Sequence, residues 1–143
     1  MKKKYDIPFK LIYEGGGAEG IVAPNSDIEI RGLSSTAELY KLYNTAFALV
    51  MPSIAEPMGL VFLEALAFGV PILGLKRGAL PDIVCNGKYG FLVEDESPEQ
   101  LAEKIYEMFC NREDTFQKAL LGSEYVLKEY NWATVANLMI NAF

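Results

Sequence analysis

Two short apolar runs, FALVMPS (47–53) and VPILGL (70–75), bracket a third apolar segment, GLVFLEALAFG (59–69). The outer runs are continuous rather than alternating, and a proline closes the first. Strands buried on both faces of a parallel sheet read this way. The middle segment ends at Gly69, the residue that most readily takes the left-handed conformation after a helix. Strand, helix and strand joined in this order make a parallel pair with a right-handed crossover.

The rest of the chain repeats the alternation. FKLIYE (9–14) and DIEIRG (27–32) read as strands that stop at glycine. STAELYKLYNTA (35–46) reads as a helix with a cap-like Ser35 and with Leu39, Leu42 and Tyr43 on one face. GALPDIVCNG (78–87) is a short helix ending at the Asn86-Gly87 turn, and GFLVE (90–94) one more strand. SPEQLAEKIYEMFCN (97–111) opens with Ser97, Pro98 at the first helical position and Gln100 as the return half of a capping box. Helical stretches over about 113–129 and 132–142 finish the chain.

The expectation is an α/β fold, a Rossmann-like parallel sheet of about five strands with helices on both faces. One domain over 1–143 fits this length, which buries about 70% of the unfolded surface. Ligands of such sheets sit at the carboxyl ends of the strands. The loops at 14–20, 31–34, 52–59 and 75–81 are therefore expected to line a site.

Composition narrows the chemistry. Histidine is absent, so no imidazole serves as general base or metal ligand, and Ser-His-Asp and Cys-His schemes fall away. A net charge of −6 argues against a nucleic-acid partner, which wants a basic face. No apolar run approaches the ~20 residues of a membrane span, and the basic tip Lys2–Lys4 is not followed by a signal-peptide core. The chain reads as soluble and cytoplasmic, with no metal site. Cys85 and Cys110 lack metal-ligand spacing and read as free buried thiols in a reducing compartment.

Two motifs carry chemistry. GGGAEG (15–20) matches G-x-G-x-x-G after a strand, which raises a dinucleotide site. That motif must open a helix, and Pro24 with the strand near residue 28 leaves almost no room for one; the acidic residue about 20 positions on falls near Glu38, inside a helix. What remains is either a flexible turn or a turn at Gly15, Gly16 and Gly17 that lets a ligand approach the backbone. The second motif is the 52–64 region. Pro52, Pro57 and Gly59 deliver the chain into a helix whose first N–H groups, near Gly59, Leu60 and Val61, have no internal acceptor. They lie at the positive end of the helix dipole, a ready phosphate site.

Glu64 lies one turn further, about 6 Å down the axis from Leu60. Its neighbours three and four residues away, Leu60, Val61, Ala67 and Phe68, are all apolar. An unpaired charge buried among them would be costly, so a partner is expected, and a vicinal diol is one. Phosphate above and ribose below is the layout of a nucleotide. Glu56, eight residues upstream, is as well explained by solvation as by function.

With these residues in view, PSIAEPMGLVFLEALAFGVPILGLKRGALPDIVCNGKYGFLVEDESPEQLAEKI resembles the donor-binding half of the retaining GT-B glycosyltransferases of group 1 (GT4). The E-x7-E element from Glu56 to Glu64 carries the likeness, together with NGKYGFLV, LIYEGGG and the tryptophan-bearing YNWATVANLMINAF. The resemblance spans about residues 10–143. It implies transfer of a hexose from a UDP-, GDP- or ADP-sugar with retention, without a cofactor or an obligatory metal. Glu64 would hold the ribose hydroxyls. The amides of Met58, Gly59 and Leu60 would meet the donor sugar and diphosphate, with Val61 beside them. Glu56 would touch the donor sugar hydroxyls, near the charge that develops in the transition state. Gly15–Gly17 and the loop at Arg31–Leu33 would lie near the nucleotide.

The departures from the family are also specific. Its donor-binding domain begins with a further strand and helix that supply an arginine and a lysine to the diphosphate, and an amino-terminal domain holds the acceptor. The expectation is that this chain lacks both, needs that domain or subunit as partner, and is inactive alone. Lys2–Lys4 sit in the wrong place to replace those cations. Lys76 and Arg77, at a strand's carboxyl end, supply partial compensation or else form a solvated loop pair. Met58 and Ala79 stand where an aromatic residue and a second glycine are common. The rival reading is a non-catalytic Rossmann-like module that binds a partner subunit.

Overall fold

In the computed structural model the description covers all residues except 1–4, 6, 18–19, 132, 135–136, 138–139 and 141–143. The chain divides into two compact units, Met1–Thr45 and Ala46–Phe143. The first holds strands β1 (Leu11–Tyr13) and β2 (Ile28–Ile30) and helix α1 (Thr36–Thr45). The second holds β3 (Leu49–Met51), α2 (Leu60–Ala67), β4 (Ile72–Leu75), α3 (Leu80–Ile83), β5 (Phe91–Val93), α4 (Pro98–Cys110) and α5 (Arg112–Glu129). Each lies where the sequence places it. The expected helix over 132–142 and the basic tip Lys2–Lys4 fall wholly or largely outside the described residues.

All strand pairs are parallel, as the crossover argument requires. The five strands do not form one sheet, however. β1 pairs with β2 alone, and β3, β4 and β5 form a three-stranded sheet in that order. The sequence-based count of strands thus holds among the described residues, but the continuous sheet is smaller than expected.

In the second unit β4 is buried along its whole length, and its alternation assigns one helix layer to each face. Leu73 and Leu75 pack with Met108, Leu101 and Ile105 of α4. On the other face an added Cβ at Gly74 would lie 2.4 Å from Leu80 Cδ2 and 3.2 Å from Phe62 Cζ, so α3 and α2 cross there at contact distance. Helix α5 closes over α2: Gly122 lies against Leu66, and Ser123 Oγ donates to Ala67 O at 3.1 Å. The buried Thr115 turns its hydroxyl inward to Met108 O at 3.0 Å, which satisfies a group that would otherwise cost about 1–3 kcal/mol. Among the described residues no helix is long and apolar enough to cross a membrane. Cys85 and Cys110 are free, but Cys85 is only half-buried and Cys110 exposed, so the expectation of buried thiols does not hold.

In the first unit β1 and β2 register Leu11 with Ile28 and Tyr13 with Ile30. The pair is extended by Leu11 N–H donating to Asp27 O and Arg31 N–H to Tyr13 O, both at 2.8 Å. On it Glu29 sits between two cations: Arg31 Nε at 2.5 Å and Lys10. The hydrogen bond from Arg31, seconded by that from Lys10, holds the Glu29 carboxyl at about 2, below its ordinary 4.5. A carboxylate held low in the folded state contributes stability above its unfolded value and loses it as pH falls. We expect the first unit to weaken as pH drops from 4.5 to about 2, and Glu29→Gln to flatten that dependence. Amide exchange at Leu11 and Arg31 against pH measures it, and equal acid slopes in both proteins would refute the assignment.

Candidate functional site: the loops after β3 and β4

The carboxyl ends of β3 and β4 each open into a loop, 52–59 and 76–79, and the two loops are fastened together. Ala79 N–H donates to Glu56 O at 3.0 Å. Gly78 takes φ +57°, and an added Cβ there would lie 2.5 Å from Glu56 O. The prolines at 52 and 57 restrict the same segment. Glu56 is thus held by its own backbone before its side chain makes any contact.

The side chain then turns back to the helix. Gly59 is the N-cap of α2, with φ +69°, and its N–H donates to Glu56 Oε1 at 2.9 Å. Phe62 and Leu63 N–H both donate to Gly59 O, at 3.0 and 3.1 Å. Helix geometry leaves the Leu60 and Val61 N–H groups without an intrahelical acceptor. The sequence read three open amides from Gly59 to Val61; the chain's own carboxylate occupies the first. A carboxylate at this end also complements the helix dipole, by about 0.3–1 kcal/mol.

Glu64 departs from the sequence argument in a different way. It is exposed, on the side of α2 that also shows Leu60, Val61 and Phe68 to solvent. Phe62, Ala65 and Leu66 face the core instead. The apolar neighbours are real, but they do not bury Glu64, so the desolvation argument for a ligand does not apply. What the structure does provide is position: Glu64 lies one turn below the Leu60 amide on an open face. In the loop before α2, Met58 is 64% and Ile54 61% exposed.

Lys76 and Arg77 are at the end of β4, as expected, but each has an anion. Lys76 Nζ meets Glu94 at 2.8 Å and Arg77 Nη1 meets Glu96 at 2.7 Å. These are half-exposed pairs of about 0–1 kcal/mol. The sequence reading missed Glu94 and Glu96, although the acidic run EDE at 94–96 directly after a strand was a visible signal. Two cavities of about 250 and 310 Å³ flank β5, among Gln100, Lys104, Glu107 and Lys118. Glu56, Gly59 and Glu64 line neither.

In the first unit, Gly15 (φ +141°) and Gly17 (φ +81°) need glycine for their backbone, and Gly16 does not. Gly15 N–H donates to Gly32 O at 3.3 Å. Arg31 is bound to Glu29, which raises its guanidinium further above its ordinary range. Glu38, the residue a dinucleotide motif would need at a strand end, instead accepts from Ser35 N–H at 2.9 Å and Ser35 Oγ at 2.6 Å. It caps α1, and the dinucleotide reading ends there. Among the described residues no three Cys, Asp or Glu side chains gather where a metal could be held.

Residues 24–119, more than half of the chain, match the family described as Glycosyl transferases group 1. An uncharacterized glycosyltransferase of Methanocaldococcus jannaschii is 34% identical over 135 residues, covering 91% of this chain and 38% of that protein. The chain therefore spans well under half the length of the curated relative it matches. Among solved structures, HepE of Anabaena in complex with UDP-glucose superposes with a TM-score of 0.79 at 19% identity, over 93% of this chain and 40% of that one. The sucrose-phosphate synthase of Thermosynechococcus elongatus gives 0.74 at 22% identity, over 99% and 47%. At such identities these two speak for the fold, which is that of GT-B glycosyltransferases. With residues 24–119 matched, the chain belongs to the group 1 glycosyl transferases.

Proposed function

We propose that this chain is the nucleotide-sugar-binding part of a retaining, metal-independent glycosyltransferase of the GT4 type, cytoplasmic, that moves a hexose from a UDP-, GDP- or ADP-sugar to an acceptor. In that reaction the bond from the anomeric carbon to the diphosphate breaks and the nucleoside diphosphate leaves with its electron pair. The acceptor hydroxyl supplies the new oxygen and gives up its proton. The single observation that most supports the reading is the fixed pair of carboxylates about α2: Glu56, bonded to the Gly59 N–H at 2.9 Å, and Glu64, exposed one turn below Leu60.

In this assignment the Leu60 and Val61 amides meet the diphosphate with Met58 and Gly59 beside them, and Glu64 takes the ribose hydroxyls. Glu56 turns its remaining oxygen to the sugar. Helix-terminus support for a diphosphate is about 1 kcal/mol and at most ~2, and Lys76 and Arg77 are already paired. The chain alone is therefore a weak binder and inactive, and an amino-terminal acceptor-binding domain or subunit completes it.

Titration with UDP, GDP and ADP, followed by amide shifts, is the test. Shifts at Leu60 and Val61 are expected, and Glu64→Ala is expected to weaken binding by about 1.5–3 kcal/mol, the value of a hydrogen bond to a charged group. The exposed apolar side chains Ile54, Met58, Leu60, Val61 and Phe68 favour a second reading, a non-catalytic module that docks a partner protein there. Absence of any shift with all three nucleotides selects that reading.

A further inference from the structure

Lys118, on α5, is half-buried, and among the described residues its ammonium has no carboxylate partner. It donates to Gly87 O at 2.7 Å and stands 4.6 Å from the centre of the Phe91 ring. Glu107, whose charge it feels, is bonded instead to Lys104 at 2.6 Å, and Glu94 is bonded to Lys76 at 2.8 Å. All of these charged side chains line the cavity of about 310 Å³ beside β5. Three ammonium groups against two carboxylates leave one positive charge over at this wall, in a chain whose net charge is −6. Burial, and then the nearby Lys104, push the Lys118 ammonium below its ordinary range, as happens to a cation short of an anion.

The backbone adds a donor to the same space. Among the described residues β5 pairs with β4 alone. Lys76 N–H donates to Val93 O at 2.8 Å, so Val93 turns its peptide groups toward β4. By the alternation of a strand, Leu92 turns its N–H and C=O to the open edge, and Leu92 lines the cavity. The Lys118 ammonium, with one of its three donors on Gly87, keeps two for a ligand. Charge then restricts what that ligand is. One carboxylate cancels the excess cation, whereas a phosphate monoester, close to a dianion at neutral pH, would leave the wall negative. We infer that this cavity is a second ligand site, which binds a small organic acid through a single carboxylate. Lys118 is the counter-ion, with Lys104 and the Leu92 N–H beside it. Glu56, Gly59 and Glu64 line no part of this cavity, and the inference stands apart from the nucleotide-sugar reading.

The experiment titrates the full chain with acetate, the smallest such probe, and with methyl phosphate, at constant ionic strength held by chloride. The readouts are the Leu92 amide and the Lys118 side-chain resonances. Acetate is expected to give saturating shifts at both and to bind more tightly than methyl phosphate. Lys118→Met keeps the apolar stem over Phe91 and removes the charge, and is expected to weaken acetate about tenfold, the effect of one hydrogen bond to a charged group. Lys104→Met, on α4, should weaken it as well, which keeps the test open if Lys118→Met does not fold. Lys128→Met, at an 82% exposed side chain on α5, should leave it unchanged. Glu107→Gln takes one carboxylate from the wall, and methyl phosphate is expected to overtake acetate there. A lysine that merely tied α5 to Gly87 would not exchange one anion for another. Shifts that never saturate, equal losses in Lys128→Met, or an order of anions unchanged in Glu107→Gln overturn the inference.

Discussion

Phe62→Ala is expected to lower the stability of the second unit by about 3–5 kcal/mol, the cost of deleting a fully buried aromatic ring. Phe62 is 1% exposed, and its position explains why no neighbour can fill the gap. Its Cζ lies 3.2 Å from where a Gly74 Cβ would stand, and its Cδ2 lies 3.4 Å from the corresponding point at Gly59. The ring therefore rests on a bare stretch of β4 at one end and on the start of α2 at the other. Removing it undoes the docking of the helix that carries Glu64 and the amides of Leu60 and Val61. Urea denaturation gives the measurement, with the midpoint falling and the slope unchanged. Leu60→Ala on the same helix, 56% exposed, is the comparison and is expected within about 0.5 kcal/mol of the parent. Similar losses in the two variants would mean that α2 does not dock through Phe62.

That contrast also marks where the sequence stops being legible. The order of elements was readable because each is written in local signals: proline after β3, glycine after α2, the Ser97 cap of α4, whose Oγ accepts the Gln100 N–H at 3.3 Å. The inward face of α2 was not readable, because a helix apolar all round carries no phase that says which side is covered. The reading buried Glu64 among Leu60, Val61 and Phe68, yet these are 56%, 39% and 39% exposed. Tertiary placement decided the matter, and it turned an argument from desolvation into one from position.

Long-range pairs were hidden for a related reason. Lys76 finds Glu94 eighteen residues on, and Glu14 finds the Ser34 amide twenty residues on; both lie far beyond the three or four residues over which a local pattern pairs side chains. Strand pairing is equally non-local, so five strands could be counted without knowing that two pair apart from the other three. Glu56 and Gly59, by contrast, are three residues apart, and a contact of that range is local. Even so, the sequence offered Gly59 as an open amide, when the neighbouring carboxylate was the nearest anion available to it.

Gly78→Ala puts that local arrangement to a severe test. Two penalties combine: a left-handed backbone at φ +57°, about 1–2 kcal/mol for a residue with a Cβ, and a collision worth about 1–3 kcal/mol. The colliding atoms are Glu56 O at 2.5 Å, Glu56 C at 3.2 Å and Glu56 N at 3.3 Å. All are backbone, so no side-chain rotation relieves them. At Gly59 the corresponding clash is with Ile83 Cδ1 at 2.5 Å, the far end of a flexible side chain that can turn away. Gly78→Ala is therefore expected to cost about 3–4 kcal/mol and Gly59→Ala about 1–2 kcal/mol. Gly16→Ala, with nothing within 4 Å and no positive φ, should cost less than about 0.5 kcal/mol. Because the displaced atoms belong to Glu56, the loss should extend beyond stability. The Ala79 N–H to Glu56 O bond must lengthen, and the Glu56 carboxylate must leave the Gly59 amide. The Gly59 amide resonance should then move in Gly78→Ala but not in Gly16→Ala. A Gly59 resonance that stays in place while stability falls would separate the loop clasp from the carboxylate cap and refute their coupling.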